Sequence, residues 1–249
     1  MKRSNFSATR LINCLCCGII MFSGAFFFTC PASAGELPPV KEYIELNHAL
    51  HEDMVTYPGL SEVKLYTKLE RGRNGAIIDG IRMLGISGTY IDAPFHADPQ
   101  GKKIADYALN QLVNLPVIVI PLARGKNVFT AADFAGKNVA GKAVLLMTGR
   151  DRLFGTSAYG TTPPYLTVDG ARWLVNHRAA LVGIDSVLID NYAENSSIPV
   201  HDLLLKNSIV IAEDMANIGA LTDKNAYLSA VPPRVPMASF PARIYALVY

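Results

Sequence analysis

The run Val117-Ile118-Val119-Ile120 is apolar at every position. Successive side chains of a strand point to opposite faces of its sheet, so a strand of this kind must be covered on both sides. Ala143 to Met147, Leu181 to Ile184 and Ile209 to Ala212 have the same character. The apolar runs Tyr43 to Leu46, Val63 to Leu69, Ala76 to Ile86 and Ile244 to Val248 are also predicted strands. Helical spacing is sparser. It covers Val168 to His177 behind Thr167 as N-cap, and Val200 to Lys206, with one further turn over Thr130 to Phe134 before Gly136. Thr161 to Pro164 and Pro232-Pro233 read as extended loops, where proline fixes φ and removes a donor. Strands buried on both faces predict a layered α/β architecture rather than a sandwich.

Residues 1–34 read as a secretory signal peptide. Lys2, Arg3 and Arg10 precede an uncharged apolar stretch from Leu11 to Phe28, and Ala32-Ser33-Ala34 supplies a small-x-small cleavage signal. Cleavage there predicts an exported protein, periplasmic or secreted, with no membrane attachment. All four cysteines, Cys14, Cys16, Cys17 and Cys30, lie in that segment. A chain starting at Gly35 therefore has no thiol for a disulfide, a zinc site or a nucleophile. Three of the 23 Lys and Arg and none of the 21 Asp and Glu are removed with it, leaving 20 against 21. That balance gives no electrostatic case for binding nucleic acid or a membrane surface. With no low-complexity linker or internal repeat, residues 35–249 are expected to form one domain.

Chemistry concentrates in two stretches. In Ile86-Ser87-Gly88-Thr89-Tyr90-Ile91-Asp92-Ala93-Pro94-Phe95-His96, a run extended up to Tyr90 and turning at Pro94 lets Asp92 and His96 project into one cleft. The second stretch holds His201 and Glu213, separated by a short amphipathic helix and a strand that return residues twelve apart to one sheet edge. Each residue also has a plainer reading. An Asp before Ala-Pro is more often a turn former, His201 after Pro199 suits a helix start, and Glu213 suits a strand-end surface charge. Together, Asp92, His96, His201 and Glu213 form an oxygen and nitrogen donor set suited to zinc or manganese. His177 ends a predicted helix, where a cation is favoured, and His48 and His51 flank the first strand.

At these residues the chain resembles the cyclase family that includes bacterial kynurenine formamidases and isatin hydrolases. The family signature is His-x-Gly-Thr-His-x-Asp-x-Pro-x-His. Gly88, Thr89, Asp92, Pro94 and His96 match it, while Ile86 and Tyr90 stand in the two other histidine places. Ordered matches continue along the chain: Asn47-His48-Ala49-Leu50, Tyr57-Pro58-Gly59, Thr148-Gly149-Arg150, Leu181 to Asp185, His201-Asp202-Leu203-Leu204 and Phe240-Pro241-Ala242-Arg243.

The resemblance implies a swivelling β/β/α-type fold with a mixed, barrel-like sheet and flanking helices. It also implies a metal-dependent hydrolase of a small amide, lactam or ester, assembled as a homo-dimer or homo-tetramer. Asp92, His201 and Glu213 match one metal position of the family, and His96 matches its proton-transferring histidine. Ile86 cannot ligate a metal, and Tyr90 ligates only as a phenolate, which its usual pKa near 10 disfavours. The expected site is therefore reduced. It has three protein ligands, an open place for water, His96 moving the proton and the Tyr90 hydroxyl near the oxyanion. The alternative is an exported small-molecule binding protein that has kept the fold and lost catalysis.

Cleavage after Ala34 predicts a protein starting near Gly35 when it is purified from its own host. Intact-mass spectrometry checks this, and a retained Met1 or Cys14 refutes it.

Overall fold

The computed structural model describes residues 38–54, 56–71, 75–194 and 196–249, so the expected signal peptide lies outside the described residues. The strands, in chain order, are β1 Glu42–Glu45, β2 Lys64–Arg71, β3 Ile77–Arg82, β4 Tyr90–Asp92, β5 Leu115–Pro121, β6 Val128–Phe129 and β7 Ala143–Met147. They continue with β8 Tyr165–Leu166, β9 Leu181–Ile184, β10 Val210–Glu213, β11 Ala226–Ser229, β12 Ser239–Pro241 and β13 Tyr245–Val248. The two α-helices are α1 Val168–Asn176 and α2 Pro199–Lys206. Nine strands form one mixed sheet in the order β1-β13-β11-β5-β7-β9-β10-β4-β12. Its centre, β5 to β10, is parallel, and both margins are antiparallel.

The uninterrupted apolar strands are the parallel ones, as their composition predicts. Ala143 and Leu145 of β7 enter one core, and Val144 and Leu146 enter the other. The first core also draws on Ile44 of β1, Ile91 of β4 and Ala246 of β13, which come from both margins of the sheet. The sheet therefore curls into a half-barrel around it, and a bridge from Asn47 to Met215 ties the end of β1 to the end of β10. The second core lies on the outer face beneath the helices, with Ala171 and Leu174 of α1 and Val200, Leu204 and Leu205 of α2 fully buried.

Both helices start where side-chain acceptors are available for otherwise unpaired N–H groups. The Thr167 hydroxyl accepts from Gly170 N, as the sequence predicts. Helix α2 begins one residue earlier than expected, at Pro199, where the missing N–H costs nothing. Its N-cap residue Ile198 makes no side-chain bond. Asp190 takes that role from a distance, accepting from Val200 N at 2.8 Å and His201 N at 3.0 Å.

One predicted element is redrawn. The strand expected over Ala76 to Ile86 ends at Arg82, and residues 85–89 turn before the chain becomes extended again in β4. Two glycines explain the break. Gly88 has φ +67°, and a Cβ on Gly85 would stand 2.4 Å from the Ser239 carbonyl oxygen of β12. The hairpin β2–β3 forms a separate two-stranded ribbon.

Because the atom facing Gly85 is backbone, the clash cannot be relieved by a rotamer change. Gly85→Ala should destabilise the fold by about 1–3 kcal/mol, the usual cost of overpacking. Chemical denaturation measures this, and an unchanged midpoint would show that β12 yields freely.

Candidate active site

Strand alternation sorts the residues of β4 and β10. Ile91 and Ala212 point into the half-barrel, which sends Tyr90, Asp92 and Glu213 to the outer, helix-covered face. Register then sets the neighbours: Tyr90 lies opposite Glu213, and Asp92 lies opposite both Ile211 and Ser239. Helix α2 packs over β10 and brings His201 down between the two carboxylates. His201 Nε2 is 3.7 Å from Asp92 Oδ2 and 3.4 Å from Glu213 Oε1. One donor atom from each of Asp92, His201 and Glu213 lies within 4.8 Å of the others, and all three residues are buried.

The atoms facing away from this cluster are all engaged. Asp92 Oδ1 accepts from Ser239 Oγ at 2.5 Å. Glu213 Oε2 accepts from the Tyr90 hydroxyl at 2.5 Å, while Glu213 Oε1 accepts from Ile189 N at 2.6 Å. His201 Nδ1 is bonded to Asp190 at 2.6 Å. Of the atoms facing inward, Glu213 Oε1 has that bond from Ile189 N, but Asp92 Oδ2 and His201 Nε2 have no hydrogen-bond partner among the described residues. Orphaned buried polar atoms are costly and uncommon. Two of them converging with a glutamate oxygen are the pattern a cation would satisfy.

The electrostatics agree. Burial raises the Asp92 carboxyl above its ordinary value. Burial also opposes a charge on the His201 ring, yet Glu213, Asp190 and Asp92 together push its pKa well above that of free histidine. A field that would hold a proton on a fully buried imidazole is one that favours a divalent ion. The residues present therefore fit zinc or manganese as ligand types.

His96 stands beside this donor set rather than in it. It ends the short 3-10 turn Pro94–His96, and 30 % of its side chain is exposed. Its Nδ1 is 3.2 Å from Ser239 Oγ and 3.9 Å from Asp92 Oδ1, and its ring centroid is 5.4 Å from that of His201. Tyr90 differs from expectation. Its ring is buried, burial and Glu213 push its pKa well above 10, and its hydroxyl is spent on Glu213 instead of facing an oxyanion. Ile86 lies half-buried in the turn before β4 and supplies no donor. His177 stacks on Trp173 at 3.6 Å and bonds its carbonyl, and His48 stacks on Phe154 at 3.8 Å.

Sequence reasoning missed Asp190, which bonds His201, and Ser239, which bonds Asp92 and contacts His96, because no local motif marks either. It also missed the frame behind Glu213. There Tyr159 donates to Asp214 Oδ1 at 2.5 Å, and Thr89 donates to the Asp214 carbonyl. Two loops meet nearby: Tyr57 and Tyr192 pair at 5.5 Å between centroids. The first loop is fastened by Gly88 N donating to Thr56 Oγ1 at 2.5 Å, the second by Asp190 on His201. Burial, Tyr192 and Glu213 all raise the Tyr57 pKa, so Tyr57 lies within electrostatic reach of Glu213.

Comparison with known proteins gives consistent results. The profile of a family described as "Putative cyclase" matches residues 44–191. A kynurenine formamidase of Bacillus cereus (strain ATCC 10987 / NRS 248) is 27% identical over 198 residues, covering 77% of this chain and 90% of that protein. The kynurenine formamidase of Geobacillus thermodenitrificans is 28% identical over 207 residues, covering 81% and 95%. Among solved structures, an isatin hydrolase bound to the product analogue thioisatinate superposes with TM-score 0.75 at 21% identity, covering 83% of this chain and 92% of that one. A potential metal-dependent hydrolase with cyclase activity gives 0.71 at 23% identity, covering 84% and 98%.

Asp190 carries two separable duties, capping α2 and orienting the His201 ring. Asp190→Ala should cost about 1 kcal/mol of stability as a lost helix cap. It should also weaken divalent-ion binding by about 10- to 100-fold, as expected when a ligand's outer partner is removed. Denaturation and zinc titration measure the two effects, and unchanged zinc affinity refutes the orienting role.

Proposed function

This chain belongs to the cyclase family, and on that footing we propose that it is a metal-dependent hydrolase of a small amide, lactam or ester, of the arylformamidase kind. The observation that carries the reading is the buried trio Asp92, His201 and Glu213, whose outward atoms are engaged while Asp92 Oδ2 and His201 Nε2 are left without partners. Names of the relatives, kynurenine formamidase and isatin hydrolase, support a hydrolysed amide. A divalent ion, zinc or manganese, held by these three side chains would supply Lewis-acid polarisation of a carbonyl and a lowered pKa for water.

The chain's own residues supply the rest. Ser239 gives its hydroxyl proton to the Asp92 carboxylate and so meets His96 Nδ1 as an acceptor. That contact assigns the proton of the neutral ring to Nδ1. His96 Nε2 is then free to take a proton from the attacking water and deliver it to the leaving nitrogen or oxygen as the acyl bond breaks. Tyr90 and Asp190 hold Glu213 and His201 in place. The half-buried Tyr57 and Tyr192 suit a flat ring attached to the leaving group.

The proposal extends to compartment and assembly. The signal-like segment 1–34 supports export to the periplasm or medium, with residues 35–249 as the working domain, and the resemblance supports a homo-dimer or homo-tetramer. The substrate is a small molecule.

Hydrolysis of formanilides, lactams and esters by chelated protein, with and without added zinc or manganese, tests the reading. Activity should appear only with the metal. His96→Ala should lower it by about two to four orders of magnitude, as for a lost general acid or base, with metal binding retained. His201→Ala should lose metal and activity together. A protein that binds no divalent ion and hydrolyses none of these compounds overturns the proposal in favour of a small-molecule binding protein.

A further inference from the structure

Among the described residues the Tyr90 hydroxyl bonds Glu213 and nothing else. It reaches Oε2 from across the β4–β10 pair, where Tyr90 and Glu213 are register partners, and both side chains are buried. Oε2 has no other hydrogen-bond donor among the described residues. The opposite oxygen, Oε1, is the one that faces His201 Nε2 at 3.4 Å and already accepts from Ile189 N. Asp92 is divided in the same way, with Oδ1 held by Ser239 and Oδ2 unpartnered. Each of the three residues thus offers one donor atom to the cluster.

Resting on the metal-dependent reading above, we propose that Tyr90 is a positioning residue that restricts Glu213 to a single donor oxygen. The site is thereby set for one low-coordinate ion, zinc in preference to manganese. Three protein donors and one water make the four-coordinate arrangement zinc favours. Manganese favours more oxygen ligands in an octahedral arrangement, which a glutamate free to offer both oxygens would help to provide. Without the Tyr90 hydroxyl, Glu213 Oε2 loses the one hydrogen-bond donor it has among the described residues and becomes available as a second donor. The phenyl ring of Tyr90→Phe still fills the buried space, so the effect isolates the hydroxyl.

The test uses purified full-length protein with zinc, manganese and cobalt as probes. The wild type should bind one zinc per chain, and its cobalt form should show the intense visible absorption of a four-coordinate centre. Tyr90→Phe should lower zinc affinity by about 10- to 100-fold, as for other lost outer partners, hold or raise manganese affinity, and give the weaker cobalt absorption of a five- or six-coordinate centre. A thermal melt confirms that the variant is folded; if it is not, the wild type must itself prefer zinc to manganese and give the four-coordinate cobalt spectrum for the inference to stand. If the wild type takes up no ion, the metal-dependent reading falls and this inference falls with it. If the wild type binds one ion and Tyr90→Phe is indistinguishable in affinity, selectivity and spectrum, the role of Tyr90 alone is overturned.

Discussion

The arrangement turns on a histidine that no solvent reaches. His201 sits at 0% exposure with Asp190 on one ring nitrogen and Asp92 and Glu213 facing the other. Uncompensated buried carboxylates are expensive, and each one here is held by a defined donor. Asp190 answers to the N-terminus of α2, Glu213 to Tyr90 and Ile189, and Asp92 to Ser239. The result is a buried donor pocket whose inward atoms Asp92 Oδ2 and His201 Nε2 lack partners, which is the condition under which a divalent ion would be held without a preformed thiolate.

That pocket depends on how the sheet is assembled. Asp92 and Glu213 reach the same point because β4 joins β10 antiparallel at the margin of a parallel block, so two short strands present side chains side by side. The opposite faces of these strands are spent on the interior of the half-barrel, through Ile91, Val210 and Ala212. One strand pair therefore serves the core on one face and the chemistry on the other. Helix α2 completes the site because Leu204 and Leu205, three and four residues after His201, anchor it in the outer core. The geometry of the donor set and the packing of α2 are then coupled: whatever loosens the helix also moves His201.

Some of this was legible one residue at a time. Continuous apolar composition marked β5, β7, β9 and β10 as doubly covered, and their limits fall within two residues of the predicted ones. Thr167 and Pro199 are local signals of helix starts, and both act as such. Asp92, His201 and Glu213 were recognisable as candidate donors because each lies beside a turn or element end, but His96, expected among the same donors, stands beside the cluster rather than in it. Strands β4 and β12 were not legible, since three residues carry no period, and Gly85, in the turn that follows the preceding run, acts by clearing space for a backbone 154 positions away. The Tyr90 hydroxyl was expected at the substrate, but strand register points it at Glu213.

By itself, the sequence determined the elements whose cause is local: which strands need two covers, where helices begin, and which side chains have the chemistry to bind an ion or move a proton. Tertiary structure alone decided which atoms of those side chains are available. Asp190 and Ser239 lie 11 positions from His201 and 147 from Asp92, and only the curl and register of the sheet bring them within bonding distance. A carboxylate's two oxygens are identical in the chain. They become a held oxygen and a free one only after burial removes water as the alternative partner.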